Sequence, residues 1–234
     1  MENILTKYAA LLASVDQWFA SCVSHARSEI ACKTGCSECC RALFDITLLD
    51  AFYLKSGFDR LDPTIKATVL VKARERLVSL LKLWPDFEPP YILNYRPEEE
   101  WEMLMPDNDE TPCPLLGDDG TCLVFNFRPM TCRLHGLPLV DLSGEVLHDE
   151  WCTLNFTRVN PLDLHELKWK FNALFRDELL IFMEFTKQLL NKPFNELDTF
   201  IPMALLIDFK SFDWRKWVRM KGLGVVEKGE GNKS

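Results

Sequence analysis

Eight of the nine cysteines in this chain fall in two stretches that stand far apart in the sequence. Thiolates at short spacings are the ligands by which proteins hold zinc ions or iron–sulfur clusters. A centre that uses both stretches joins distant parts of the chain, and metal–thiolate bonds can offset the entropy lost in closing that loop. The first stretch holds Cys32, Cys36, Cys39 and Cys40, and the second holds Cys113, Cys122, Cys132 and Cys152.

A disulfide framework is the competing explanation for so many cysteines. Such frameworks are typical of short secreted chains that have a signal peptide and an even number of cysteines. This chain has 234 residues and nine cysteines, and its first twenty residues do not resemble a signal peptide. Cys22 lies on the apolar stripe of a predicted helix, where we interpret it as a small buried hydrophobe. The sequence therefore favours metal ligation over disulfides.

Composition restricts the classes of function. A hydrophobic fraction of 47% and sixteen Phe residues can fill a sizeable core, so a metal would not be the sole source of folding energy. The formal net charge of −8 argues against binding along a nucleic-acid backbone. No apolar stretch reaches the length of a membrane span. We therefore expect a cytoplasmic protein that binds neither nucleic acid nor membrane, and the sequence leaves a protein partner open.

The periodicity of apolar residues predicts a mainly α fold. We expect one helical domain over residues 1–220, an irregular cysteine-rich metal-binding region at about 32–152, and a mobile tail at 221–234. One small β-hairpin is predicted, with strands at 137–141 and 145–149. The predicted helices are 2–30, 48–56 with Thr47 at its start, one that begins at Asp62-Pro63, 97–105, Asp163 to about Leu190, and 197–209.

Three arginines stand beside the cysteines in sequence and are candidates for the surroundings of a metal centre. Arg41, Arg128 and Arg133 could compensate thiolate charge and donate N–H···S hydrogen bonds. His135 follows Cys132 by three residues, but a histidine in a loop is more often structural than a ligand. The sequence contains no phosphate-binding loop, no dinucleotide fingerprint and no hydrolase or metalloprotease motif. Catalytic residues therefore stay unassigned.

The cysteine motifs resemble those of the YkgJ-type cysteine-cluster family, which is described as a zinc- or iron-chelating domain. The resemblance rests on C-x3-C-x2-C-C at 32–40, on Cys113-Pro-Leu-Leu, on Gly120-Thr-Cys122 and on Arg128-Pro-Met-Thr-Cys132-Arg133. These motifs cover roughly residues 32–152. The resemblance implies metal binding at these cysteines and supplies no reaction.

The identity of the metal and the role of the site both stay open at this point. Eight thiolates could hold two tetrahedral zinc ions, or four of them could hold a [4Fe-4S] cluster. The spacing of Cys32, Cys36 and Cys39 also occurs in radical SAM enzymes, but those enzymes are βα barrels and no strand–helix alternation is present. We thus consider a metal-binding protein first. The alternatives are an iron–sulfur enzyme with a methylase-like or sulfur-handling activity, and a protein-interaction module braced by metal.

Overall fold

The computed structural model describes residues 1–33, 35–106 and 108–221, and it confirms a mainly helical fold with two small antiparallel sheets. The predicted mobile tail lies outside the described residues from residue 222 onward. The helices are α1 (Glu2–His25), α2 (Leu48–Phe58), α3 (Pro63–Leu83), α4 (Glu98–Glu102), α5 (Met130–Leu134), α6 (Phe171–Leu190), α7 (Ile201–Ala204) and α8 (Trp214–Met220). The strands are β1 (Asp45–Thr47), β2 (Leu139–Val140), β3 (Val146–His148) and β4 (Asp198–Phe200).

The capping residues predicted for α2 and α3 are confirmed. Thr47 Oγ1 accepts a hydrogen bond from the Asp50 backbone N–H at 3.1 Å, which satisfies one of the free donors at the start of α2. Asp62 Oδ1 accepts from the Thr64 N–H at 2.8 Å, and Pro63 occupies the first turn of α3. Both helices therefore begin where a side-chain oxygen can replace the missing backbone acceptor.

The prediction that α6 begins at Asp163 is wrong. Two 3-10 turns, Pro161–Asp163 and His165–Leu167, precede a helix that starts at Phe171. The backbone of Trp169 is held extended, because its N–H donates to the Val140 carbonyl and its carbonyl accepts from the Leu142 N–H, each at 3.0 Å. A residue whose backbone is hydrogen-bonded to the edge of a strand cannot also lie in a helix. The helix therefore begins only at Phe171.

A pairing of β1 with β4 replaces the first part of the helix predicted at 197–209, of which only α7 is helical. Ile46 lies opposite Thr199 in an antiparallel register, and the Leu48 N–H donates to the Leu197 carbonyl at 2.7 Å. Pro202 then lies in the first turn of the short α7. This pairing attaches the segment after the first cysteine stretch to the C-terminal part of the chain. The predicted hairpin is present as β2 and β3.

The main core forms between α1 and α6. The buried stripe of α1 packs against an aromatic face of α6, where the Trp18 and Phe171 rings meet edge to face at 4.9 Å between centroids. Cys22 is fully buried on this stripe, as predicted. Of the described helices, none combines the length and the apolar character that crossing a bilayer requires. The stripe consists of Ile4, Tyr8, Leu12, Val15, Trp18 and Cys22.

Gly57 lies within α2 instead of ending it, and its lack of a side chain admits the Phe127 ring. A Cβ at residue 57 would lie 2.6 Å from the Phe127 Cβ, well inside van der Waals contact. Phe127 is in turn held by the Tyr53 ring, with centroids 5.2 Å apart. The contact places the loop that precedes α5 directly on α2.

We predict that Gly57→Ala destabilises the protein by about 2 kcal/mol, because overpacking outweighs the higher helix propensity of alanine. The double variant Gly57→Ala with Phe127→Gly should be no less stable than Phe127→Gly alone, since residue 127 then has no Cβ to clash. The free energy of unfolding measured in urea tests both statements. A Gly57→Ala protein more stable than the wild type would contradict this packing.

Candidate metal and ligand cavity

The two cysteine stretches meet at one cavity of about 570 Å³. Seven of the eight clustered cysteines line it, and they come from both stretches. All nine cysteines of the chain are free thiols in this structure. The segment between the two stretches, which contains α2 and α3, starts at the cavity after Cys40 and ends at the cavity at Cys113. The lining cysteines are Cys32, Cys36, Cys39, Cys40, Cys113, Cys122 and Cys132.

Backbone contacts hold the two stretches together. The Cys113 N–H donates to the Cys40 carbonyl at 2.7 Å. Gly120, in the turn between Cys113 and Cys122, packs on Gly35, and a Cβ at Gly120 would lie 2.9 Å from the Gly35 carbonyl oxygen. Gly120 has φ +76°, a conformation that glycine adopts without strain. The turn at 118–120 thus serves close approach of two backbones as well as chain reversal.

Cys152 does not line the cavity and lies beside Cys32. Both residues adjoin Gly136, since a Cβ at Gly136 would be 3.6 Å from the Cys152 Cβ and 3.6 Å from the Cys32 Sγ. The fully buried Asn155 side chain donates to the Gly136 carbonyl at 2.7 Å and to the Cys32 Sγ at 3.5 Å. It also accepts from the Ala31 N–H at 2.8 Å. Asn155 therefore organises this end of the cluster, a role that the sequence did not indicate.

The spatial grouping of the cysteines differs from their grouping in sequence. Cys39 lies close enough to Cys113, Cys122 and Cys132 that it raises the pKa of each of these thiols, although burial is the larger cause. Cys152 acts in the same way on the pKa of Cys32, which burial also raises. Cys39 and Cys32 of the first stretch thus each lie near thiols of the second.

The surroundings of Cys39, Cys113 and Cys132 favour the protonated form of these three thiols. Burial raises the pKa of Cys113 to about 12 and that of Cys132 well above its ordinary value. The pKa of Cys39 is raised first by its hydrogen bond with Cys40 and then by burial. No three Cys, His, Asp or Glu side chains within 1–33, 35–106 and 108–221 stand in an arrangement that could already hold a metal ion. The thiols are gathered around one volume with their sulfur atoms not yet in ligand positions.

The three candidate arginines occupy different positions. Arg133 is buried and braces the loop, because it pairs with Asp16 of α1 and donates to the carbonyls of Arg128 and Asn126, each at 2.9 Å. Arg128 lines the cavity, and its positive charge partly offsets the burial that raises the pKa of Cys122. Arg41 is exposed and is not among the lining residues. Within the described part of the chain, no hydrogen bond joins any of the three to sulfur.

The side chain of Asp50 fixes α5, which carries Cys132 and Arg133. Asp50 is 1% exposed, and its Oδ1 accepts from the Tyr8 hydroxyl at 2.6 Å and from the Met130 N–H at 2.9 Å. Met130 is the first residue of α5, so a carboxylate on α2 satisfies a free donor of that helix. Burial raises the pKa of Asp50 to about 6 against these hydrogen bonds, which lower it. The capping motif Thr47–Asp50 was visible in the sequence, whereas this second role was not.

Comparison with protein-family models gives no match, and comparisons with curated proteins and with solved structures give none either. The resemblance to the YkgJ-type family therefore stays a prediction that rests on the motif residues themselves.

We predict that Asp50 makes stability fall as the pH rises through about 6. The folded-state pKa lies above the usual value near 4, so the folded protein binds this proton more tightly than the unfolded chain. The resulting contribution is present in full below pH 4 and is lost as the pH rises through the folded pKa. Urea unfolding of metal-free wild type and Asp50→Asn should give a free-energy difference that changes in this direction between pH 4 and pH 7. A difference independent of pH would contradict a buried titrating carboxyl at residue 50.

Proposed function

We propose that this chain is a metal-binding protein that holds zinc or iron through its eight clustered cysteines. The observation that carries the proposal is the convergence of two remote cysteine stretches on one cavity. Thiol groups gathered from separate parts of a fold, with no disulfide among them, are a set of soft ligands suited to these metals. The ligands we assign are Cys32, Cys36, Cys39, Cys40, Cys113, Cys122, Cys132 and Cys152.

The donor set fits such a centre in chemistry, and binding would require the thiols to move closer together than they stand in this structure. Each ligating thiol must lose its proton, and the local environment disfavours the bare thiolate. Arg128 lies where its charge can compensate thiolates. When bound, zinc would supply a redox-inert brace, whereas an iron–sulfur cluster would supply electron transfer or Lewis acidity.

The cellular setting we propose is the cytoplasm. Nine unpaired cysteines are in keeping with a reducing compartment, where thiols remain available to metals. The net charge of −8 argues against nucleic acid as a partner. The motif resemblance to the YkgJ-type cysteine-cluster family supports the same function, since the residues that carry it are the proposed ligands.

We predict that protein purified without oxygen contains zinc or iron at one equivalent or more per chain, and that Cys132→Ser and Cys113→Ser lower this content. Cys22→Ser is the matched control, because Cys22 is buried on α1 and is not among the residues that line the cavity. Elemental analysis measures the metal, and the visible spectrum distinguishes a coloured iron–sulfur cluster from colourless zinc. Wild-type protein that takes up neither metal would refute the proposal.

We also predict that metal loading releases protons. Because burial holds the pKa values of Cys113, Cys122 and Cys132 above the ordinary thiol value, these groups are protonated at pH 7 before a metal binds. Zinc titration of metal-free protein in a weakly buffered solution should acidify a pH indicator by about one proton per thiol engaged. The apparent affinity should weaken as the pH falls. Binding without proton release would mean that carboxylates or imidazoles, and not these thiols, take the metal.

A further inference from the structure

The cavity has more room than a thiolate-bound metal requires. Zinc lies about 2.3 Å from its sulfur ligands and therefore inside the polyhedron that they form. The cavity volume of about 570 Å³ falls within the range of 300–1,000 Å³ that is typical of sites for small organic molecules. One or two zinc ions would leave most of this space to another occupant.

Much of the remaining lining is apolar. Phe19, Ala20 and Val23 contribute one side of α1, and Phe44 and Ile201 lie opposite each other at one end of the β1–β4 pairing, where the Ile201 N–H donates to the Phe44 carbonyl at 3.0 Å. Phe19 and Val23 are only half-buried in the folded protein. Apolar side chains that face a cavity gain free energy when a hydrocarbon surface covers them. This wall suits the body of an organic ligand and has no use in binding a metal ion.

Arg128 is the lining arginine that is available to a ligand. Arg76 pairs with Asp109, and Arg133 pairs with Asp16. Within the described part of the chain, Arg128 pairs with no carboxylate. Its Nε donates to the Phe125 carbonyl at 3.3 Å, and the Nη groups have no acceptor among the described residues. A guanidinium with both Nη groups free can hold a carboxylate by two parallel hydrogen bonds.

The Phe125 ring orients this guanidinium at the mouth of the cavity. The Arg128 Cζ lies 3.9 Å from the ring centroid, a stacking that restricts the side chain before any ligand binds. Phe125 lines the cavity and is nevertheless 54% exposed, which places it at the opening. An anchored cation at the opening and an apolar wall inside are complementary to a molecule with one acidic end.

We propose that the cavity binds an amphipathic organic anion, with its acidic group on Arg128 and its apolar body against the wall formed by Phe19, Val23 and Ile201. This inference goes beyond metal binding, because it uses residues that are not metal ligands. Metal content and ligand binding are separate measurements, so either one can fail without the other.

Two fluorescent probes that differ in charge test the proposal. 8-Anilinonaphthalene-1-sulfonate carries an anionic group, and N-phenyl-1-naphthylamine has a similar body without it. Both should bind the folded wild-type protein saturably with one site per chain. Arg128→Gln should weaken the sulfonate about tenfold or more, because charge-assisted hydrogen bonds are lost, and should change the neutral probe by no more than about twofold. Arg176→Gln, at an exposed arginine on α6, is the matched control and should change neither.

A second pair of variants tests the apolar wall. Ala20 is exposed and lines the cavity, so Ala20→Trp puts a large side chain at its edge and should weaken both probes. Ala10→Trp introduces the same residue on an exposed position of α1 that is not among the lining residues, and it should weaken neither. Equal effects of the two substitutions would count against this wall as the binding surface.

Competition between ligands for the wild-type protein is a test that needs no variant, so misfolding of a variant cannot affect its result. Octanoate should displace the sulfonate probe at a concentration at least about tenfold lower than octanol does, since only octanoate can pair with Arg128. The absence of saturable probe binding, equal competition by octanoate and octanol, or unchanged sulfonate binding in folded Arg128→Gln would overturn the proposal. Zinc and iron are measured in each sample, so a loss of metal is distinguished from a loss of ligand binding.

Discussion

The hydrogen bonds to the buried Asp50 carboxylate connect three helices on which the cavity depends. A carboxylate that is withdrawn from water is tolerated only where donors replace the water, and Asp50 receives one from α1 at Tyr8 and one from α5 at Met130. Asp50 itself belongs to α2. Because α5 has only five residues, it has little internal hydrogen bonding to hold it. The position of Cys132 therefore depends on this carboxylate more than on the helix that contains it.

A second connection between α5 and α1 is an ion pair. Arg133 on α5 reaches back to Asp16 on α1, while its remaining donors bind the carbonyls of Arg128 and Asn126. The interaction makes the Arg-Pro-x-x-Cys-Arg element a compact unit, in which one arginine braces the loop and the other is free at the cavity. Similar residue types at neighbouring positions in the sequence thus have different roles, and only their partners in three dimensions separate them.

The sequence allowed prediction of those features that depend on local chemistry. The starts of α2 and α3 follow from Thr47 and Asp62, whose side chains cap the next few residues. The β1–β4 pairing could not be predicted, because three residues are too few to show strand alternation and the partners are remote. The late start of α6 has the same origin, since Trp169 is held by a strand edge elsewhere in the chain. The roles of Asn155 and Asp50 could not be predicted for a related reason, because they depend on hydrogen-bond partners that are remote in sequence.

The proximity of cysteines from the two stretches affects how much of the fold a bound metal would stabilise. If each stretch formed its own metal centre, that centre would close only the loop within its own stretch. Instead Cys39 lies among Cys113, Cys122 and Cys132, and Cys152 lies beside Cys32. A centre that uses Cys39 together with Cys113, Cys122 or Cys132 spans the α2 and α3 segment, and closing longer loops restricts the unfolded chain more strongly. Metal binding would therefore stabilise the arrangement of whole helices around the cavity, including the α1 wall and Arg128, and the two kinds of occupant would share one framework.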